Sequence, residues 1–316
     1  MTTHTLGDEE TARLRAKHYN ATVTDVRRPA PGLLILRVAP DSGATAFAAG
    51  QYTTLGLGEW EPGVEDHGPP EMHLHPAIPS ANASLAAAAA LNAAPALALD
   101  ATAGKPLKEP KLIRRAYSIS APLVDEHGAF APLSASDPWE FYIALTHPEA
   151  HEVDPHPRLT PKLFALAPGD RLLAGPKVVG KYTLERVSPD DDVIFCATGT
   201  GEAPHNAMIS ELLAAGHRGR IASLVCSRFR EDLVYADLHR RLEKRFANYR
   251  WLCLTTRERE NYDPEAPGYI GKIYLQDYWS TGALEKDLGW TIDPARTHVF
   301  LCGNPAMIGD PDAAPA

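Results

Sequence analysis

Two short runs hold residue types suited to gripping a nucleotide: Arg115-Ala-Tyr117-Ser118 and Gly199-Thr200-Gly201-Glu-Ala-Pro204. On an extended strand, residues 115 and 117 share one face while 118 points to the other, so the first run can hold an elongated ligand at several points. An arginine fork suits a pyrophosphate and a tyrosine ring suits a flat heterocycle. A serine hydroxyl can exchange a hydrogen bond with a ring nitrogen. Taken alone, these four residues also fit an ordinary barrel strand with an exposed arginine. The run Leu159-Thr160-Pro161-Lys162-Leu163 shifts that balance. Thr160 suits an N-cap, Pro161 the first helical position, and Gly169-Asp170 a closing turn. A helix start of this kind gathers free N–H groups that can seat a phosphate, although many capped helices bind nothing.

The second run lies between a continuous apolar stretch, Asp192–Ala197, and a helical pattern. Its glycines allow a tight turn and close backbone approach, and Pro204 can open the helix. Pro204 stands where G-x-G-x-x-G would have its third glycine, so the match to that fingerprint is incomplete. The first strand-to-helix turn of a parallel sheet is nonetheless where such sheets bind ligands. Farther on come Thr256-Arg257, then Lys272 and Tyr274. Two cations, a hydroxyl and an aromatic ring suit an adenine ribose carrying a 2′-phosphate, whereas a dinucleotide lacking it calls for an acidic residue. The alternative for these four is a solvated charged loop.

The elements that must position these residues fall into two patterns. From residue 20 to 184 short β segments alternate with Pro/Gly turns: Ala21–Val26, Leu33–Val38, Tyr52–Leu57, Arg115–Ser120, Trp139–Thr146, Arg171–Ala174 and Lys181–Leu184. Several alternate apolar and polar residues with period two, as an antiparallel barrel or sandwich requires. The alanine- and proline-rich stretch 61–110 interrupts them and reads as a surface insertion. After residue 185 the strands Asp192–Ala197, Ile221–Cys226, Trp251–Thr255 and His298–Cys302 alternate with helical patterns. Ala207, Met208, Leu212 and Leu213 sit at helical spacing before Gly216, and Leu233–Phe246 forms a second helix. This rhythm predicts a parallel sheet covered by helices. The expected fold is therefore two-domain, an N-terminal antiparallel β-barrel followed by an α/β parallel-sheet domain: a polar tail over 1–19, a barrel over 20–184, and an α/β domain over 185–316.

The 316 residues suffice for two cores. With 31 Lys and Arg against 40 Asp and Glu, the net charge of −9 argues against general nucleic-acid binding. The four cysteines, Cys196, Cys226, Cys253 and Cys302, lack the close grouping of an iron–sulfur or structural zinc site. The histidines at 67, 73 and 75, and at 147, 151 and 156, read as solvated loop residues, so no metal is expected. The polar N-terminus has no secretory h-region, and Ala83–Leu99 is broken by Asn92 and Pro95. A cytoplasmic protein without membrane association is expected, with a monomer favoured. No Ser-His-Asp arrangement supports hydrolysis.

In order, Arg115-Ala-Tyr-Ser118, Leu159-Thr160-Pro161, Ala197-Thr-Gly-Thr-Gly-Glu-Ala-Pro204, Thr256-Arg257-Glu258, Lys272-Ile-Tyr274-Leu-Gln276 and Cys302-Gly303-Asn-Pro305-Ala-Met307 resemble the motifs of the ferredoxin–NADP reductase family over most of residues 20–309. The resemblance implies FAD on the barrel and NADP(H) on the α/β domain. Arg115 would hold the FAD pyrophosphate, Tyr117 would stack on the isoalloxazine, and Ser118 would hydrogen-bond the hydride-accepting nitrogen. Leu159 and Thr160 would belong to the FAD phosphate site. Gly199, Thr200, Gly201 and Pro204 would form the NADP pyrophosphate turn. Thr256, Arg257, Lys272 and Tyr274 would recognise its 2′-phosphate and adenine. Ser118 and Cys302, the latter at the nicotinamide pocket, are the implied catalytic residues. The implied activity is hydride transfer between NADPH and FAD with single-electron exchange with ferredoxin or flavodoxin. A reductase for a haem protein or free flavin, and a non-catalytic flavin- or nucleotide-binding module, are the alternatives. Lys105, Lys108, Lys111 and Arg114 could form a basic docking rim for the acidic carrier, or simply a charged loop. Family members continue with a further helix, a strand and an aromatic residue covering the flavin. No such segment follows Gly309, so a more exposed flavin face and weaker discrimination between NADPH and NADH are expected.

Overall fold

The computed structural model describes residues 7–43, 46–64, 111–125, 127, 129–130, 138–145, 159–304 and 307. The first unit is a barrel-like antiparallel sheet of β1 (Ala21–Ala30), β2 (Leu33–Pro40), β3 (Tyr52–Gly58), β4 (Leu112–Ser118), β5 (Trp139–Ala144) and β6 (Arg171–Ala174), in the order β4-β3-β6-β1-β2-β5. The two ends of that order curl toward each other, because the Ser120 N–H just past β4 donates to the Glu140 carbonyl of β5 at 2.8 Å. Inward side chains such as Val23, Leu34, Leu36, Leu55, Ile119 and Phe141 fill its core, as the period-two alternation requires.

A short helix, α2 (Thr160–Phe164), caps the barrel through Leu163 and Phe164. The polar N-terminal segment is not merely a tail, because α1 (Asp8–His18) forms within it. Only Leu14 of α1 is buried, so no apolar stripe announced it. Its docking is polar: Arg15 and Tyr19 converge on Glu61, a residue buried at the base of the insertion. Residues 61–64 thus belong to the fold, and Val64 N–H donates to the Pro161 carbonyl at 3.0 Å. The rest of the insertion, the histidines at 67–75 and 147–156, Lys105 and Lys108 lie outside the described residues.

Lys181–Leu184 is not a strand. The last sheet bonds run between Tyr52 and Val179, after which Gly180, at φ +127°, takes the chain out of the sheet. The Tyr182 hydroxyl then pairs with His205 at 2.8 Å.

The second unit is a parallel sheet of β7 (Asp192–Thr198), β8 (Ile221–Ser227), β9 (Tyr249–Thr255) and β10 (Thr297–Cys302), ordered β10-β7-β8-β9. Helices α3 (Glu202–Ala214) and α4 (Ala236–Arg245) cover one face. After the single-turn α5 (Arg259–Tyr262), helices α6 (Leu275–Ser280) and α7 (Ala283–Leu288) cover the other. α4 starts later than the sequence pattern suggests, because a 3₁₀ turn at Arg230–Asp232 takes up the preceding residues. Buried residues of the barrel, Leu33, Ile35, Ala49 and Tyr142, share one apolar cluster with α3, β7 and Tyr235, which packs the two units together.

Candidate functional site

β4 is the edge strand beside β3, in a register that pairs Leu55 with Arg115, Thr53 with Tyr117 and Tyr52 with Ser118. Ile113 is buried and Tyr117 packs partly into the barrel core, while Arg115 stays exposed. The Arg115 side chain donates from Nη1 to the neighbouring Arg114 carbonyl at 2.8 Å. Burial pushes the Tyr117 hydroxyl up to about 12, and the nearby Arg115 charge opposes that shift. Arg115 and Tyr117 therefore lie together on the strand, the cation toward solvent and the ring half sunk. Ser118 is half-buried beside the exposed ring of Tyr52.

At α2 the N-cap is Leu159 and not Thr160. Leu159 already has helical φ and ψ, and no side chain caps the helix. Thr160 is the first helical residue. The Leu159 side chain is buried in the barrel core, so only its backbone can face a ligand. Lys162 fastens the neighbouring turn by donating from Nζ to the Glu59 carbonyl at 3.1 Å and to the Glu61 carbonyl.

In the α/β unit the chain leaves β7, builds β8 and β9 on one side, then returns to place β10 on the other. The gap between the carboxyl ends of β7 and β10 is thus the topological switch point, where open α/β sheets bind ligands. The Gly199–Gly201 turn follows β7 and Cys302-Gly303 follows β10. Close approach dictates two of these glycines. A Cβ on Gly201 would stand 2.1 Å from the Cys302 carbonyl oxygen, and one on Gly303, at φ +138°, would stand 2.1 Å from Thr198 Oγ1. Thr198 Oγ1 also accepts from Asn304 N–H at 2.6 Å, which ties the two strand ends together. Gly199, at φ +51°, faces open space, with no atom within 4 Å of where its Cβ would lie. Pro204 sits in the first turn of α3, where its missing N–H costs no helical hydrogen bond. Cys302 is half-buried and burial raises its thiol, so it is protonated at neutral pH.

Thr256 and Arg257 continue β9, and their N–H groups donate to the Ser227 and Arg228 carbonyls at 3.1 and 2.8 Å. Asn261 Nδ2 holds the Gly271 carbonyl at 3.2 Å and Ile270 N–H bonds the Glu260 carbonyl at 2.9 Å, which brings the 263–274 loop back to that end of the sheet. Lys272 Nζ sits 4.8 Å from the Tyr274 ring centroid, a cation–π pair with the ring largely exposed.

The barrel motif and the glycine turn are linked through α3. The loop entering β3 rests on that helix: Gly50, at φ +93°, leaves no room for a Cβ, which would stand 2.0 Å from the Tyr182 carbonyl and 2.3 Å from Met208. Ile119 N–H donates to the Gln51 carbonyl of the same loop at 3.0 Å, and Ala49 N–H reaches Glu211 of α3 at 3.2 Å. Glu140 also bridges the units. One carboxylate oxygen takes Arg27 and Arg37, each at 3.0 Å, and the other takes the Tyr235 hydroxyl at 3.0 Å. Neither Glu140 nor Tyr235 carries a motif, and this bridge has no signal in the sequence. Among the described residues, no group of three or more His, Cys, Asp or Glu is placed to hold a metal ion, and no helix is long and apolar enough to cross a membrane.

Residues 195–312 match the family model of the oxidoreductase NAD-binding domain. The chain is 31 % identical over 174 residues to the flavodoxin/ferredoxin–NADP reductase of Escherichia coli (strain K12), an alignment covering 54 % of this chain and 63 % of that protein. The chain is thus similar to ferredoxin–NADP reductases in sequence, most clearly in its NAD-binding unit. It spans less than two thirds of the length of that relative. Among solved structures, the ferredoxin NADP+ reductase from Neisseria gonorrhoeae with bound FAD and NADP superposes with a TM-score of 0.59 at 18 % identity, covering 92 % of this chain and 86 % of the other. Flavohemoglobin from Malassezia yamatoensis, with bound FAD and haem, superposes with a TM-score of 0.54 at 16 % identity, covering 94 % and 57 %. At those identities the likeness extends to the fold.

Proposed function

We propose that this chain is an FAD-containing reductase that exchanges a hydride with NADP(H) and single electrons with a small acidic carrier of the ferredoxin or flavodoxin kind. The observation that carries the reading is the chain of contacts that links the two motifs through α3. The edge strand bearing Arg115, Tyr117 and Ser118 abuts the loop at Gly50, which rests on the helix opened by the Gly199–Gly201 turn. The residues present fit both groups. On the barrel, an exposed guanidinium beside a half-sunk phenol ring matches a pyrophosphate joined to a flat ring. On the α/β unit, the open space at Gly199 admits a pyrophosphate to the turn, and the Lys272–Tyr274 pair offers a cation and a ring face for a phosphorylated adenine ribose.

Bound flavin supplies the conversion between a two-electron hydride and single electrons. Arg115 binds and orients phosphate oxygens, and Tyr117 holds the ring plane. The Ser118 hydroxyl holds a proton toward a ring nitrogen. The amides of Gly199, Thr200 and Gly201 take the second pyrophosphate, with Thr256, Arg257, Lys272 and Tyr274 at the far end of that ligand. Cys302, whose backbone carbonyl packs against Gly201 and whose thiol is kept neutral by burial, lies at the switch point without acting as a nucleophile. Exposed Lys111, just before the edge strand, and Arg114 on it supply positive charge for the carrier. Purified protein carrying FAD should reduce ferredoxin or flavodoxin at the expense of NADPH, with a rate that falls as salt rises. Flavin-loaded protein that oxidises NADPH but leaves both carriers oxidised at low salt would refute the carrier assignment.

A further inference from the structure

We propose that Glu202 and His239 form a buried pair that positions the Gly199–Gly201 turn for its dinucleotide, which makes His239 a positioning residue although it stands 37 residues away on α4. The inference rests on the NADP-binding reading of that turn. Glu202 directly follows Gly201 and is the first residue of α3, yet it is only 2 % exposed. Its Oε1 lies 2.8 Å from His239 Nε2, and His239 Nδ1 lies 2.6 Å from the Tyr249 hydroxyl on β9. His239 and Tyr249 are both fully buried. A neutral imidazole has one donor and one acceptor nitrogen, so both of its ring nitrogens are engaged, one by Glu202 and one by Tyr249. The imidazole plane is fixed as well, lying 9° from that of Trp251 with centroids 5.6 Å apart.

This chain of bonds ties the turn to the sheet from beneath. Gly201 packs against Cys302 and Gly303, whereas Gly199, in the left-handed region, has open space where its Cβ would lie, so its side of the turn has no such packing to hold it. A carboxylate buried at that point is unfavourable unless it is hydrogen-bonded. His239 meets that need and, through Tyr249 and Trp251, joins the turn to the rigid strand β9. Without the imidazole, the carboxylate would move toward water and carry the backbone of Gly201 with it. Dinucleotide affinity falls in consequence, although His239 touches no ligand.

The test is calorimetric titration of the flavin-loaded protein with NADP+, comparing wild type, His239→Phe, His239→Gln and Tyr249→Phe. Glutamine can donate from Nε2 to Glu202 and accept at Oε1 from Tyr249, so it restores the bonds without the ring. His239→Phe is expected to raise Kd roughly tenfold, His239→Gln to stay within about threefold of wild type, and Tyr249→Phe to raise Kd roughly threefold. Equal affinities for wild type and His239→Phe would overturn the proposal, as would equal losses in the Phe and Gln variants. If His239→Phe does not fold, an unchanged Kd in Tyr249→Phe, which removes one hydroxyl, overturns it. Wild-type protein that binds no NADP+ would instead refute the dinucleotide reading of the turn.

Discussion

Arg115 carries its charge on an edge strand and donates to a neighbouring carbonyl, so removing it disturbs little of the fold. Arg115→Ala should therefore leave the thermal midpoint near wild type while lowering FAD affinity. A lost charge-assisted hydrogen bond of about 1.5–3 kcal/mol corresponds to roughly a ten- to hundredfold rise in Kd. The ratio of flavin to protein absorbance after gel filtration reads this directly, and an unchanged ratio would remove Arg115 from the site. Lys272 is exposed, with its ammonium over the Tyr274 ring, which suits a group that meets a ligand phosphate. Lys272→Ala should raise KM for NADPH roughly tenfold and leave KM for NADH unchanged, because only NADPH carries the 2′-phosphate. Equal effects on both nucleotides would place Lys272 elsewhere in the site.

At the scale of elements, α1 depends on one carboxylate. Burial alone would raise the Glu61 carboxyl, but hydrogen bonds from Arg15, Tyr19 and Trp60 outweigh that and hold it below the usual glutamate range. A carboxylate with a depressed folded pKa gives its full stabilisation above the unfolded value and loses it as pH falls through the folded one. α1 should therefore stay docked above about pH 4.5 and loosen below it. Glu61→Ala should loosen it at neutral pH, costing about 1–2 kcal/mol, at the low end because Arg15 is half exposed. Limited proteolysis within residues 8–18 reports the change, and equal protection in wild type and variant would contradict this docking. This element also marks where sequence reading ran out. The barrel strands and β7 declared themselves through alternation and a continuous apolar run, and the glycine turn through its place between strand and helix. α1 did not, because its helix is polar and its anchor lies 46 residues away. Lys181–Leu184 alternates like a strand, but Gly180 directs it away from the sheet toward His205. Glu202 lay in plain view within a motif, while its partner His239 has only helical spacing around it.

For the whole molecule, the contact between the two units decides whether the motifs meet. Glu140 sits at that contact, 1 % exposed, with Arg27 and Arg37 on the barrel side and Tyr235 on the other. Glu140→Ala should retain FAD but slow flavin reduction by NADPH, since a displacement of about 1 Å between reacting groups can cost roughly a hundredfold in rate. An unchanged reduction rate would show that the apolar cluster alone aligns the units. His205, fully buried on α3, is pushed down to about 3 by burial. Its contribution to stability is complete above the unfolded value of about 6.5 and is lost as pH falls toward the folded value, with a slope of up to about 1.4 kcal/mol per pH unit. Urea unfolding between pH 7 and 4 should show that slope, and His205→Phe should flatten it.

The proposal that the ligands of the Arg115–Ser118 strand and the Gly199–Gly201 turn meet is tested most directly by mixing flavin-loaded protein with NADPH in the absence of oxygen and following the visible flavin absorbance. Rapid bleaching, faster than flavin free in solution under the same conditions, is the predicted result. Bound flavin that stays oxidised while NADP+ still binds would mean that the two sites exist but do not meet, and would contradict the account.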